Sequence, residues 1–137
     1  KLLIVFVLLS SIAFGQKSKG KTVNGKKEGK WEYYFEGSDR VSRVENYLNG
    51  KLHGEQKEYY WSLWGASLTT WKDGILDGPY RQWRDSDDDG ALELEEIYSN
   101  GKLVSKTCYD YDENETPCES SKGVALEVHK ELIKKQQ

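Results

Sequence analysis

Histidine, cysteine and methionine are almost missing from this 137-residue chain, at two, two and none. With that scarcity, catalysis finds little support. Two histidines, His53 and His129, and two cysteines, Cys108 and Cys118, supply no zinc spacing, and neither a nucleophile motif nor a phosphate-cradling glycine loop is present. The chain is expected not to be an enzyme. A long hydrophobic run is also missing. The apolar stretch Leu2 to Leu9 falls well short of the roughly 20 residues that cross a bilayer. It follows Lys1 and leads to Ala13 and Gly15, small residues in the arrangement a signal peptidase accepts before Gln16. An export signal over residues 1–15 is therefore expected, giving a periplasmic, cell-surface or extracellular protein whose mature chain has no transmembrane span. No cysteine follows the cleavage point, so lipid attachment there is not indicated.

A strong charge of one sign is the third absence. From Gln16 onward there are 19 basic and 23 acidic residues, and seven of the acids lie within residues 85–96, without which the net charge would be +3. The acidity is local, and the balance gives no reason to expect nucleic acid as a partner. Basic residues between Lys17 and Lys30 alternate with glycine and serine, which predicts a solvated, flexible leader over residues 16–23.

What the chain does have is a repeat. The segments beginning at Asn24, Asn49, Asp73 and Asn100 align on their first glycines, Gly25, Gly50, Gly74 and Gly101, which are 25, 24 and 27 residues apart. A second glycine follows four residues later at Gly29, Gly54 and Gly78, while the fourth unit has Ser105. An aromatic residue stands three positions before the first glycine at Tyr47, Trp71 and Tyr98. Such a period signals stacked supersecondary units. Asn-Gly and Asp-Gly favour positive φ and tight turns, and the segments between them are rich in β-branched and aromatic residues. The expected fold is all-β: a repetitive antiparallel meander of hairpins over residues 24–121, forming an elongated sheet. His53 shares its repeat position with Glu28, Asp77 and Val104, a turn site with no constant chemistry. Residues 122–137 form a capping segment, in which Val124, Val128 and Leu132 recur at helical spacing. A short C-terminal helix is expected there, with a returning strand as the alternative.

The glycine pair, aromatic run and period together resemble the bacterial variant of the MORN repeat, over Asn24 to about Tyr111. The resemblance implies the same hairpin meander and contact with protein, lipid or membrane. Members of that family are often catalogued as antitoxins, so an antitoxin or immunity-type protein neutralising a toxin is one expectation. The export signal favours the other, a non-catalytic module that binds a protein or an envelope or surface component.

The chain from Gln16 contains five tryptophans and nine tyrosines. Tyr34, Tyr59 and Trp83 share a repeat position and are expected to form the packing layer. Trp61, Leu63 and Trp64 fall at a tip between strands, where burial is hard to arrange, and are expected to meet a partner. An even cysteine count in an exported chain predicts a Cys108–Cys118 disulfide. Residues 85–96 carry the spacing of a calcium loop: Asp85, Asp87 and Asp89, Gly90 for the sharp turn, the Ala91 carbonyl, Glu93 through water, and Glu96. The repeat register makes Leu92 to Tyr98 a strand, so either Glu96 or Glu93 would complete the set. An acidic, solvated turn is the competing reading. Asp110, Asp112 and Asn114 look like half of a second such loop, lacking its glycine and closing glutamate.

Overall fold

The computed structural model describes residues 16–61, 65–84 and 90–118. They form ten strands: β1 Ser18–Val23, β2 Lys26–Tyr34, β3 Val41–Leu48, β4 Lys51–Leu52, β5 Gly54–Tyr59, β6 Gly65–Lys72, β7 Ile75–Trp83, β8 Leu92–Ser99, β9 Lys102–Tyr109 and β10 Glu115–Thr116. All belong to one antiparallel sheet in which neighbours in sequence are neighbours in space, with the short β4 pairing β3. The expected export signal and C-terminal helix lie outside the described residues. One expectation is corrected: residues 18–23 are not a flexible leader but the first arm of a hairpin. All six residues of β1 are exposed, so no hydrophobic alternation marks it, and its pairing with β2 is what holds it.

Each Asn-Gly or Asp-Gly pair makes the tight turn at one end of the sheet. Both central residues have positive φ, as at Asn49 (53°) and Gly50 (83°) or Asp73 (53°) and Gly74 (86°), the combination a type I′ hairpin requires. The second glycine has a different task. In the first three units the returning strand carries two extra residues around Gly29, Gly54 and Gly78, as when Trp71 pairs Leu76 but Thr69 pairs Tyr80. The fourth unit has Ser105 in place of that glycine and a one-residue shift instead, between the Ile97–Ser105 and Tyr98–Leu103 pairs. The second glycine is thus the mark of a bulge, which re-aims the strand after the turn.

The turns stack on one another. The amides of Gly50, Gly74 and Gly101 donate to the carbonyls of Lys27, Leu52 and Leu76, each two residues past the first glycine of the preceding unit. Glu28 and Asp77 add a side-chain clamp by accepting the amides of Asn49 and Asn100 at 2.8 and 3.1 Å. His53, at the same position, meets the Asp73 carboxylate at 3.3 Å. The site that looks chemically variable in sequence is therefore where one repeat grips the next. Val104 ends the series, because no further turn of the repeat follows it in the described residues, and is 65% exposed.

Strand pairing places the buried residues on one face. Tyr33, Glu45, Gln56, Thr69, Trp71, Leu76, Tyr80, Leu94, Glu96, Tyr98 and Cys108 all lie there. The apolar centre is Trp71, Leu76, Tyr80, Leu94, Tyr98 and Cys108. Its polar members are bonded across the face: Trp71 donates to Gln56 (3.0 Å), Tyr80 to Gln82 (2.8 Å), Tyr98 to Glu96 (2.8 Å) and Tyr47 to Glu45 (2.6 Å). The packing layer differs from the expected one. Tyr34, Tyr59 and Trp83 are only half-buried and mark a second bulge, because the partner strand carries one extra residue there in each unit, Ser42, Ala66 or Glu93.

Candidate functional site

In an antiparallel meander the longer loops collect at the end opposite the tight turns. Here they are the connections after β2, β5, β7 and β9. The loop after β2 is closed by Phe35, whose amide donates to the Arg40 carbonyl at 3.0 Å, and by Ser38, whose hydroxyl accepts the Arg40 amide at 3.0 Å. This fixes Arg40 for its neighbour. Its guanidinium lies 4.5 Å from the Trp61 ring centre and donates to the Trp61 carbonyl. Phe35 meets the same indole edge-on, at 4.9 Å and 76°. Trp61 is nonetheless 57% exposed. Leu63 and Trp64, expected beside it, lie outside the described residues.

Next to this tip a cleft of about 280 Å³ opens between β3, β5, β6 and β7, lined by Arg43, Glu58, Tyr60, Ser67 and Gln82 among others. Its walls are polar and organised. Glu58 accepts from Gln56 at 3.2 Å and from Ser67 at 3.5 Å, Arg43 reaches Glu45 at 2.9 Å, and the Tyr60 hydroxyl donates to the Trp83 carbonyl at 3.1 Å. The bulge residues Ser42 and Ala66 also line it, so the irregular register shapes the cleft. Beyond Trp83, Arg84 donates to the carbonyls of Tyr109 and Asp110, both at 2.7 Å, and stacks 4.2 Å from the Tyr111 ring. The loop end thus presents two aromatic–arginine stacks, with Trp61 and the 80% exposed Tyr111 outward.

The expected calcium loop is only partly within view. Asp85, Asp87 and Asp89 lie outside the described residues. The flanks meet: the Arg84 amide donates to the Ala91 carbonyl at 3.0 Å. Glu96 sits in the middle of β8, 1% exposed, accepting from Tyr98 and paired with Lys106 at 3.2 Å. Glu93 is the bulge residue at the base of the loop. Among the described residues no cluster of three or more acidic, histidine or cysteine side chains could hold a metal. In the half-loop after β9, Asp110 accepts the amides of Asp112 (2.9 Å) and Asn114 (3.0 Å), closing a turn on itself. The Cys108–Cys118 disulfide is present with a Cα separation of 5.1 Å.

Sequence reasoning selected Trp61 but missed Phe35, Arg40, Arg84 and Tyr111. Arg40 and Trp61 are 21 residues apart and meet only through the register of β3 with β5. No protein-family model matches the chain, and a search of curated proteins finds no match.

Proposed function

We propose that this is an exported, non-catalytic repeat module that binds a protein or an envelope or surface component through the loop end of its sheet. One observation carries the reading: Trp61 is more than half exposed yet held on two sides by Phe35 and Arg40. A pre-positioned aromatic loses little side-chain freedom on binding, and tryptophan, tyrosine and arginine are the residue types that dominate interface energetics. The adjacent cleft offers paired polar groups to a partner's own donors and acceptors. The resemblance to MORN-type repeats supports a contact role, and the Cys108–Cys118 bond suits an oxidising compartment. We also propose calcium as an accessory of the loop between β7 and β8, with Asp85, Asp87 and Asp89 as ligands.

The test is retention of envelope-fraction proteins on the immobilised chain from Gln16 onward, compared with Trp61→Ala and Arg40→Ala. The expected result is a partner held by the wild type and lost by Trp61→Ala. Equal retention by both variants would sink the loop end as the binding site. Recovery of one stoichiometric toxin-like partner would turn the reading toward the antitoxin class.

A further inference from the structure

The first repeat departs from the others at one position. Two residues past the first glycine, the second, third and fourth units have Leu52, Leu76 and Leu103, and the first has Lys27. Leu52 and Leu76 face the buried side of the sheet opposite Tyr47 and Trp71. A leucine would serve the same packing role in the first unit. Instead, the Lys27 ammonium stands 4.6 Å from the Trp31 ring centre, 4.8 Å from that of Tyr47 and 5.0 Å from that of Tyr33. It donates to the Tyr33 hydroxyl and, at 3.4 Å, to that of Tyr47.

Groups other than Lys27 hold these three rings. The Trp31 indole lies against the backbone of Gly20, where an added Cβ would stand 2.2 Å from it, and its N–H donates to the Lys21 carbonyl at 3.1 Å. Tyr47 packs edge-on to Trp31 at 6.4 Å and donates to Glu45, a 7% exposed carboxylate that also pairs with Arg43 at 2.9 Å. The Arg43 guanidinium lies 4.4 Å from the Tyr33 ring centre. The Trp31 and Tyr47 rings flank the ammonium, while Tyr33 meets it with its hydroxyl; aromatic rings beside a cation are one way proteins recognise ammonium groups. We infer that Trp31, Tyr33 and Tyr47 form a binding cage for a primary alkylammonium group, and that Lys27 is a tethered occupant which a ligand amine displaces. The hydroxyl oxygens at the rim select an ammonium that still carries hydrogens, because a quaternary cation has none to donate.

The indole N–H resonance of Trp31, assigned through Trp31→Phe, reads occupancy. In Lys27→Ala the cage loses its occupant, and n-propylammonium should shift that resonance saturably while n-propanol and sodium chloride do not. In Lys27→Leu, which restores the residue of the other repeats, the shift should vanish. The wild type should respond only at a higher concentration than Lys27→Ala, since the tethered amine competes for the same site. Tighter binding of an Nα-acetyl-lysine amide than of n-propylammonium would identify the source as a partner's lysine, and equal binding would identify a free amine. No saturable shift in folded Lys27→Ala, or an equal shift with n-propanol, overturns the cage. Should Lys27→Ala fail to fold, the wild-type titration decides: a saturable shift supports the cage and its absence overturns it.

Discussion

An alanine at residue 20 would place its Cβ 2.2 Å from Cδ2 and 2.4 Å from Cε2 of the Trp31 indole. The ring cannot stay where it is. Overpacking of this kind costs about 1 to 3 kcal/mol, so Gly20→Ala should lower the denaturation midpoint and displace the Trp31 indole resonance. An unchanged midpoint would mean that the strand bearing Gly20 packs elsewhere in solution. The tyrosines of the buried face make a second residue-scale argument. Burial pushes the phenols of Tyr47, Tyr80 and Tyr98 above their ordinary range, and the neighbouring carboxylates Glu45 for Tyr47 and Glu96 for Tyr98 add to the effect. The fold favours the protonated phenol, so this contribution is complete below the unfolded value of about 10 and is lost as pH rises above it. The sheet should therefore unfold cooperatively in alkali, with the tyrosinate absorbance of these three appearing together with the loss of sheet signal. Tyr98→Phe should move that transition to higher pH; tyrosinate formation while the sheet signal persists would contradict the burial argument.

Elements are joined here by a repeating set of contacts, and their last member is covalent. The disulfide closes a loop with a sequence separation of 10 and fixes β10 to β9. In the chain-entropy view a loop of that size is worth roughly 3 kcal/mol, and Cys108 belongs to the buried face at 2% exposure. Reduction, or Cys118→Ser, should cost about 2 to 3 kcal/mol in denaturant unfolding and release β10 first. The side-chain clamps are smaller: Asp77→Ala should cost about 1 kcal/mol, whereas Asp77→Asn, which keeps an acceptor, should cost less. Equal losses would mean that charge rather than the hydrogen bond to Asn100 holds the turns together. The tight turns were legible in the sequence because Asn-Gly and Asp-Gly carry the conformational preference in their own chemistry. The bulges at Ser42, Ala66 and Glu93 were not, since these three residues, unlike the glycines that mark the bulges after the turns, share no side-chain type and are extra only relative to the partner strand. The clamp position was hidden for the same reason: Glu28, His53 and Asp77 share no side-chain type, only a place beside the next turn. Trp61 could be found because a large apolar residue at a loop tip is conspicuous, but its supports Phe35 and Arg40 required the strand register.

At the scale of the molecule, the main contacts among the described residues run between strands that are neighbours in the sheet, so stability adds along the sheet instead of converging on a round core. The additions are unequal. The strands β6 to β9 contribute Trp71, Leu76, Tyr80, Leu94, Tyr98 and Cys108 to the apolar centre, whereas β1 is exposed at every residue and is held by its pairing with β2. The first repeat has Lys27 where the others have leucine, and it contributes no residue to that apolar centre. Local opening should follow this gradient. Amide hydrogen exchange is expected to be slowest in β6 to β8 and fastest in β1. Leu76→Ala, at a site 2% exposed, should cost about 2 to 5 kcal/mol and remove protection on both sides of the third repeat, because the turn above it hangs on the Leu76 carbonyl through Gly101. Gly20→Ala should instead raise exchange in β1 and β2 and leave β6 to β9 as they are. If both variants raised exchange uniformly from β1 to β9, the sheet would be one cooperative unit, and the additive picture of stacked repeats would fail.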